Sequence, residues 1–343
     1  MIRLKIDRLA SAQDARNMLQ TAIGVEFGTL PPYLYTLYSI RPGTNHEAAY
    51  RIKSVVQQEM VHMCLSCNIL NALGGDPVLQ TPTYPGPLPG DIGPDGKPLT
   101  VHLYPFSKRA IAQGMAIEQP EEKPEFPVKA LRIAAPQEKA VTIGQFYEAL
   151  DTLLAQLPAS TWNVGRHQLA DNQFFAGQVF EVNGYADAHR AIREIVSEGE
   201  GAKNDPLDFQ HEIAHYYRFG EIYHDKVLTK SDNPQHYAWG PAALGVDWEA
   251  AYPAITDPGC HDFSKESAAA RAAQQHCNTA YTSLVNGLQK ATTGTAAALG
   301  QAVRSMFDLR LAALHAFTVP LANAAQVAGP AFLYQPKQAG ARV

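Results

Sequence analysis

The chain has 343 residues, enough for about two average domains or one large elaborated domain with a sizeable buried core. Apolar residues make up 46 % and charged residues 18 %, a globular composition. The 28 basic and 33 acidic side chains leave a net charge of −5. With no dense Lys/Arg cluster, this argues against nucleic acid and anionic membrane as partners.

The N-terminus, Met1 to Leu9, alternates apolar and charged residues, unlike the apolar core of a signal peptide. A first helix is predicted from Ala12 to Leu30, with Ser11 and Asp14 as a capping pair and an apolar stripe at Met18, Ala22, Val25 and Thr29. Pro31-Pro32 is expected to break or kink it before Tyr33 to Tyr38. After a turn at Arg41 to Asn45, a long helix runs from His46 to Leu73 and stops at Gly74-Gly75 and Pro77.

From 76 to 140 the composition turns to Pro- and Gly-rich loop. A short strand is predicted at Leu99 to Leu103, a small helix at 107–117 and a charged, Pro-rich stretch from Glu121 to Pro136. Helical periodicity returns at Ile143 to Leu157, then at Tyr185 to Glu200 and Pro206 to Leu228. An irregular region, 229–265, precedes two further helices, Lys265 to Lys290 and Thr295 to Val319. Nowhere do about 18 apolar residues run together, as a spanning helix requires. Four cysteines are too few for a disulfide scaffold. The expectation is a cytoplasmic, all-α protein: a four-helix bundle with a long, loop-rich crossover (76–184) within 1–230, and an irregular segment plus a C-terminal helical hairpin in 231–343.

Several carboxylates interrupt the apolar lines of these helices. Glu26 lies beside Ala22, Val25 and Thr29. Glu59 and His62 lie on the line Val55, Ser66, Leu70, and Glu212 and His215 on the line Asp208, Phe219, Ile222. A buried carboxylate costs several kcal/mol unless paired or bound to metal. Glu-x-x-His sets carboxylate and imidazole on one helical face, and two such pairs with one Glu from each of two other helices make the di-metal carboxylate site of helical bundles. The helix before Glu212 must then supply a Glu. Among Glu148, Glu194, Glu198 and Glu200, Glu200 flanks the stripe Ala188, Ile192, Ile195, Val196 at about 80° from Ile192, while Glu194 and Glu198 point away. Glu148 would need different connectivity.

Other features have simpler readings. His211-Glu212-Ile213-Ala214-His215 also matches the zinc-hydrolase motif H-E-x-x-H, but that leaves Glu26, Glu59 and His62 unexplained, and the extended form fails at Arg218 and Glu221. Cys64-Leu-Ser-Cys67 reads as small side chains packed in a helix. Tyrosines 33, 35, 38, 216, 217 and 223 read as core. Tyr216, beside His215, is the candidate catalytic tyrosine.

Five segments resemble a known family. They are Glu26-Phe-Gly-Thr-Leu-Pro-Pro-Tyr-Leu-Tyr-Thr-Leu-Tyr-Ser39, Glu59-Met-Val-His-Met63 with Asn68 to Gly75, Gly199-Glu-Gly201, His215-Tyr-Tyr-Arg-Phe219 and Gly329-Pro-Ala-Phe-Leu-Tyr334. Together they resemble the ferritin-like domain family that includes the iminophenyl-pyruvate dimer synthases of bisindole pathways. That resemblance implies a ferritin-like bundle and independently favours Glu200. The expected ligand set is Glu26, Glu59, His62, Glu200, Glu212 and His215, holding two iron ions, with manganese or zinc as alternatives. The expected function is oxidation of a small organic substrate, such as an amino-acid-derived imine. A zinc metallohydrolase and a non-catalytic iron-binding protein are the rival readings. A homodimer is the assembly entertained.

Overall fold

A computed structural model describes residues 1–6, 9–120, 139–170, 174–200, 205–230 and 237–336, with backbone only at 139 and 200. The expected Pro-rich stretch from Glu121 to Pro136 lies outside the described residues. Eight α-helices are described: α1 (Ala12–Tyr38), α2 (His46–Ala72), α3 (Lys108–Ile117), α4 (Ile143–Leu154), α5 (Tyr185–Glu200), α6 (His215–His224), α7 (Ala268–Thr292) and α8 (Ala298–Ala316). Four three-residue strands form two small antiparallel pairs: β1 (Leu4–Ile6) with β2 (Lys139–Val141), and β3 (Leu228–Lys230) with β4 (Tyr237–Trp239). The fold is all-α. None of the described helices is long and apolar enough to cross a membrane.

α1 and α2 pack along each other, α2 against α5 and α6, and α5 against α6. α3 lies on α6 and α4 on α1 and α5, so the crossover is part of the wall around the bundle interior. Gly114 makes the α3–α6 contact close: a Cβ there would meet the Phe219 ring at 3.0 Å. Asn68 and Asn71 of α2 hold the later crossover. The Asn68 amide donates to the carbonyls of Leu169 and Phe180, both at 2.7 Å, and that of Asn71 donates to His167 and Thr292. α7 and α8 form the C-terminal hairpin, which reaches α1 through α8 and α2 through α7.

Three expectations change. Pro31-Pro32 does not end α1, which runs on to Tyr38. A proline at 32 leaves the Gly28 carbonyl without its helical donor, and the Tyr84 hydroxyl, from the crossover, supplies one at 2.5 Å. Tertiary contact thus replaces the helical bond that Pro32 removes. Leu99 to Leu103 is not a strand. Val101 makes an isolated bridge to Gly86. The helix expected from Pro206 begins only at His215. Before it, Leu207 bridges Ile213, and the Asp208 carboxylate accepts from the backbone N–H groups of Gln210 and Glu212, each at 2.8 Å. That local turn competes with helix formation, as Asp side chains commonly do.

Candidate metal centre

Two trios of buried side chains meet inside the bundle: Glu26, Glu59 and His62, and Glu59, Glu118 and His215. In each, three ligand atoms lie within 4.8 Å of one another, and Glu59 belongs to both. Glu26 comes from α1, Glu59 and His62 from α2, and His215 from the first residue of α6. Glu118 is the residue that caps the C-terminus of α3. All five are buried.

The distances define two halves. His62 Nδ1 lies 3.7 Å from Glu26 Oε2 and 4.0 Å from Glu59 Oε1. His215 Nδ1 lies 3.0 Å from the same Glu59 oxygen and 3.5 Å from Glu118 Oε2. The two imidazoles stack with centroids 5.5 Å apart. Hydroxyls fix the remaining carboxylate oxygens. Thr29 donates to Glu59 Oε2 at 2.6 Å, Tyr147 to Glu26 Oε1 at 2.7 Å, and Tyr33 to Glu118 Oε1. The Thr142–Gln145 capping box starts α4 and thereby positions Tyr147 little more than one turn later. Behind the rings, His62 Nε2 lies 2.8 Å from Glu198 Oε2, and His215 Nε2 lies 3.0 Å from Gln58 Oε1.

Electrostatics set the two halves apart. Burial, and then the charges of Glu118 and Glu26, push the Glu59 carboxyl well above the ordinary carboxylate range. Burial also pushes Glu26 and Glu198 up, but hydrogen bonding and charge from His62 outweigh it and hold both below that range. Burial pulls both histidines down. Glu198 and Glu26 overturn this for His62, which ends well above the imidazole range, whereas His215 stays below it.

The donor set suits a cation pair. Three carboxylates crowd one buried space, and among the described residues no Lys or Arg is ion-paired with them. His215 Nδ1 is fully buried, faces two carboxylates and, among the described residues, has no hydrogen-bond partner. A metal ion satisfies both conditions at once: it neutralises the carboxylates and takes the imidazole lone pair. Hard oxygen donors with two imidazoles fit iron or manganese.

Of the six expected ligands, the structure brings Glu26, Glu59, His62 and His215 together. Glu212 is a correction: it is exposed and precedes α6, because the helix starts three residues later than the motif requires. Glu118 stands beside His215 in its place. The side chain of Glu200 lies outside the described residues. Glu198, 3 % exposed, is the α5 carboxylate that reaches His62. Glu148 is exposed on α4. The H-E-x-x-H reading also fails: His211 is exposed with φ 65°, off any helix, so His211 and His215 do not share a helical face. Tyr216 packs edge-on against Tyr217 at 5.0 Å in a side cluster with Leu228 and Tyr237. Among the described residues, Tyr33 and Tyr147 are phenols that bond the carboxylates of the two trios.

Glu118 and Glu198 carried a readable signal. Glu118 continues the buried line Ile111, Gly114 of α3, and Glu198 the buried line Ala188, Ala191, Ile195 of α5. Both are carboxylates at apolar positions, the same anomaly that marks Glu26 and Glu59.

Comparison with known proteins agrees with this architecture. Residues 19–224, more than half of the chain, match the family described as Ferritin-like. The crystal structure of a ferritin-like protein from Caulobacter vibrioides superposes with a TM-score of 0.67 over 96 % of this chain and 100 % of that one, at 22 % identity, a likeness of fold. No curated protein matches in sequence. The chain, with its buried carboxylate and histidine groups able to hold a metal, belongs to the ferritin-like family.

Proposed function

We propose that this protein is a carboxylate-bridged di-metal enzyme, with iron as the metal, that oxidises a small organic molecule. An amino-acid-derived imine, the substrate class of the iminophenyl-pyruvate dimer synthases, is the class to test first. The observation that carries the proposal is the sharing of Glu59 between two buried trios, which suits one carboxylate bridging two ions. Glu26 with His62, and Glu118 with His215, would complete the two positions. Bound there, an iron pair supplies redox chemistry toward dioxygen.

The chain's own residues prepare that chemistry. Thr29, Tyr33 and Tyr147 each donate to one carboxylate and so aim its second oxygen into the centre. α3 and α4 wall the centre from the crossover side, keeping water from a reactive site. Storage of iron as mineral needs no such wall, and this favours an enzyme.

Stopped-flow absorbance of the reduced, iron-loaded protein mixed with oxygen tests the proposal. The expected result is one oxidation event per site, followed by a stall that aromatic or amino-acid-derived substrates relieve. Continuous uptake of many irons per chain with mineral growth would overturn it in favour of storage.

A further inference from the structure

The wall that α3, α4 and α5 make beside the centre contains a cleft with about 290 Å³ of empty space, its mouth included. Ile143, Val196 and Gly199 are half-buried and line its outer part, whereas Ile117, Ile195, Glu118 and Tyr147 are buried and line its inner part. That inner end meets both halves of the centre. Glu118 belongs to the His215 trio, and the Tyr147 hydroxyl donates to Glu26 of the His62 trio at 2.7 Å. The cleft therefore runs from the surface of the wall to the side chains that line the metal site.

Its chemistry selects the occupant. Ile117, Ile143, Ile195 and Val196 make the sides aliphatic. The polar groups at the inner end are already engaged. The Tyr147 hydroxyl meets Glu26 and, at 3.0 Å, Ser66, while Glu118 accepts from Tyr33 on one oxygen and faces His215 with the other. A held water needs about two to four polar partners, and an aliphatic cavity stays dry. A hydrated cation would have to shed water along sides that offer no carboxylate in exchange. Even with its mouth counted, the space falls short of the ~300–1,000 Å³ typical of pockets for drug-sized ligands. These conditions suit a small, uncharged, apolar molecule.

We infer that this cleft is a docking site and entry path for dioxygen, and that Gly199 and Val196 set what enters. A Cβ added at Gly199 would meet no atom within 4 Å, and the φ of Gly199 is not positive. Neither backbone conformation nor packing among the described residues therefore requires a glycine there, and the missing side chain leaves the mouth clear. Val196, three residues earlier on α5, stands one turn away on the same side of the helix. The inference rests on the oxidative reading above, which makes dioxygen a co-reactant.

Crystals of the full-length protein pressurised with xenon, an apolar stand-in for dioxygen, test it first. Xenon is expected in the cleft beside Ile195 and Val196. Gly199→Leu should abolish that xenon site. In stopped-flow oxidation of the reduced, iron-loaded protein, it should also lower the second-order rate with oxygen ~10-fold, at unchanged metal content, as obstruction of an encounter does. Val196→Phe narrows the same mouth, should act alike, and carries the test if Gly199→Leu fails to fold. A wild-type cleft without xenon, or narrowed variants that oxidise at the wild-type rate, would overturn the inference and leave the oxidative reading standing. A wild-type centre that takes xenon nearby but never reacts with oxygen would overturn both.

Discussion

Two stretches of this chain carry Glu-x-x-His, and they are built differently. On α2, Glu59 and His62 lie one turn apart in the middle of a 27-residue helix, and both point into the bundle. Before α6, Asp208 holds the chain in a turn, Ala214 is extended with ψ 160°, and the helix begins at His215 itself. Glu212 is therefore left outside while His215 is fully buried. The spacing makes a ligand pair only where a helix gives it a common face. Where that helix is missing, the carboxylate comes across space: Glu118 reaches His215 from the crossover, held by Tyr33. One half of the centre is local in sequence, and the other is assembled from parts nearly a hundred residues apart.

Breaking the shared residue should have the largest effect. Glu59→Ala removes a ligand from both trios, so metal analysis of the variant made in iron-rich medium should fall from about two ions per chain to none. Retention of one tightly held ion would show that the halves are independent. A sharper test compares the two carboxylates that compete for His215. Glu118→Ala should lose the ion on the His215 side and keep about one per chain, whereas Glu212→Ala should bind as the wild type does. The reverse outcome would mean that α6 extends back through Glu212 when loaded, and that the two motifs are alike after all.

The smallest effect is expected from the hydroxyl behind Glu26. Tyr147→Phe deletes two buried hydrogen bonds, to Glu26 and to Ser66, and should cost about 2 kcal/mol, lowering the thermal midpoint of the metal-free protein by ~4 °C with metal occupancy retained. Loss of the ion on the His62 side would instead make Tyr147 essential to the ligand geometry of that half.

The local half was legible in the sequence, because Glu26 and the Glu59–His62 pair sit on helices whose apolar period is unambiguous. Most of α1 to α8 could be read from the same period. What escaped was decided by contacts across space. Tyr84 caps the carbonyl that Pro32 frees, and α1 continues past its prolines. The Asp208 turn withholds a helix from a segment with helical spacing. Glu198 lies off the stripe Ala188, Ile192, Ile195, Val196 and joins the buried face of α5 only through Ala191, which is fully buried. Glu118 stayed hidden because it closes a short helix in a region otherwise read as loop. A carboxylate on an apolar line is the signal in both cases, and it becomes visible once the burial of its helix is known.

The central claim is that the chain holds a bridged metal pair. Iron content per chain, measured on freshly purified protein from iron-rich medium, tests it most directly. The account predicts about two ions per chain, with Glu118→Ala halving the count and Glu59→Ala abolishing it. A single zinc per chain, unmoved by Glu26→Ala and Glu59→Ala, would contradict it.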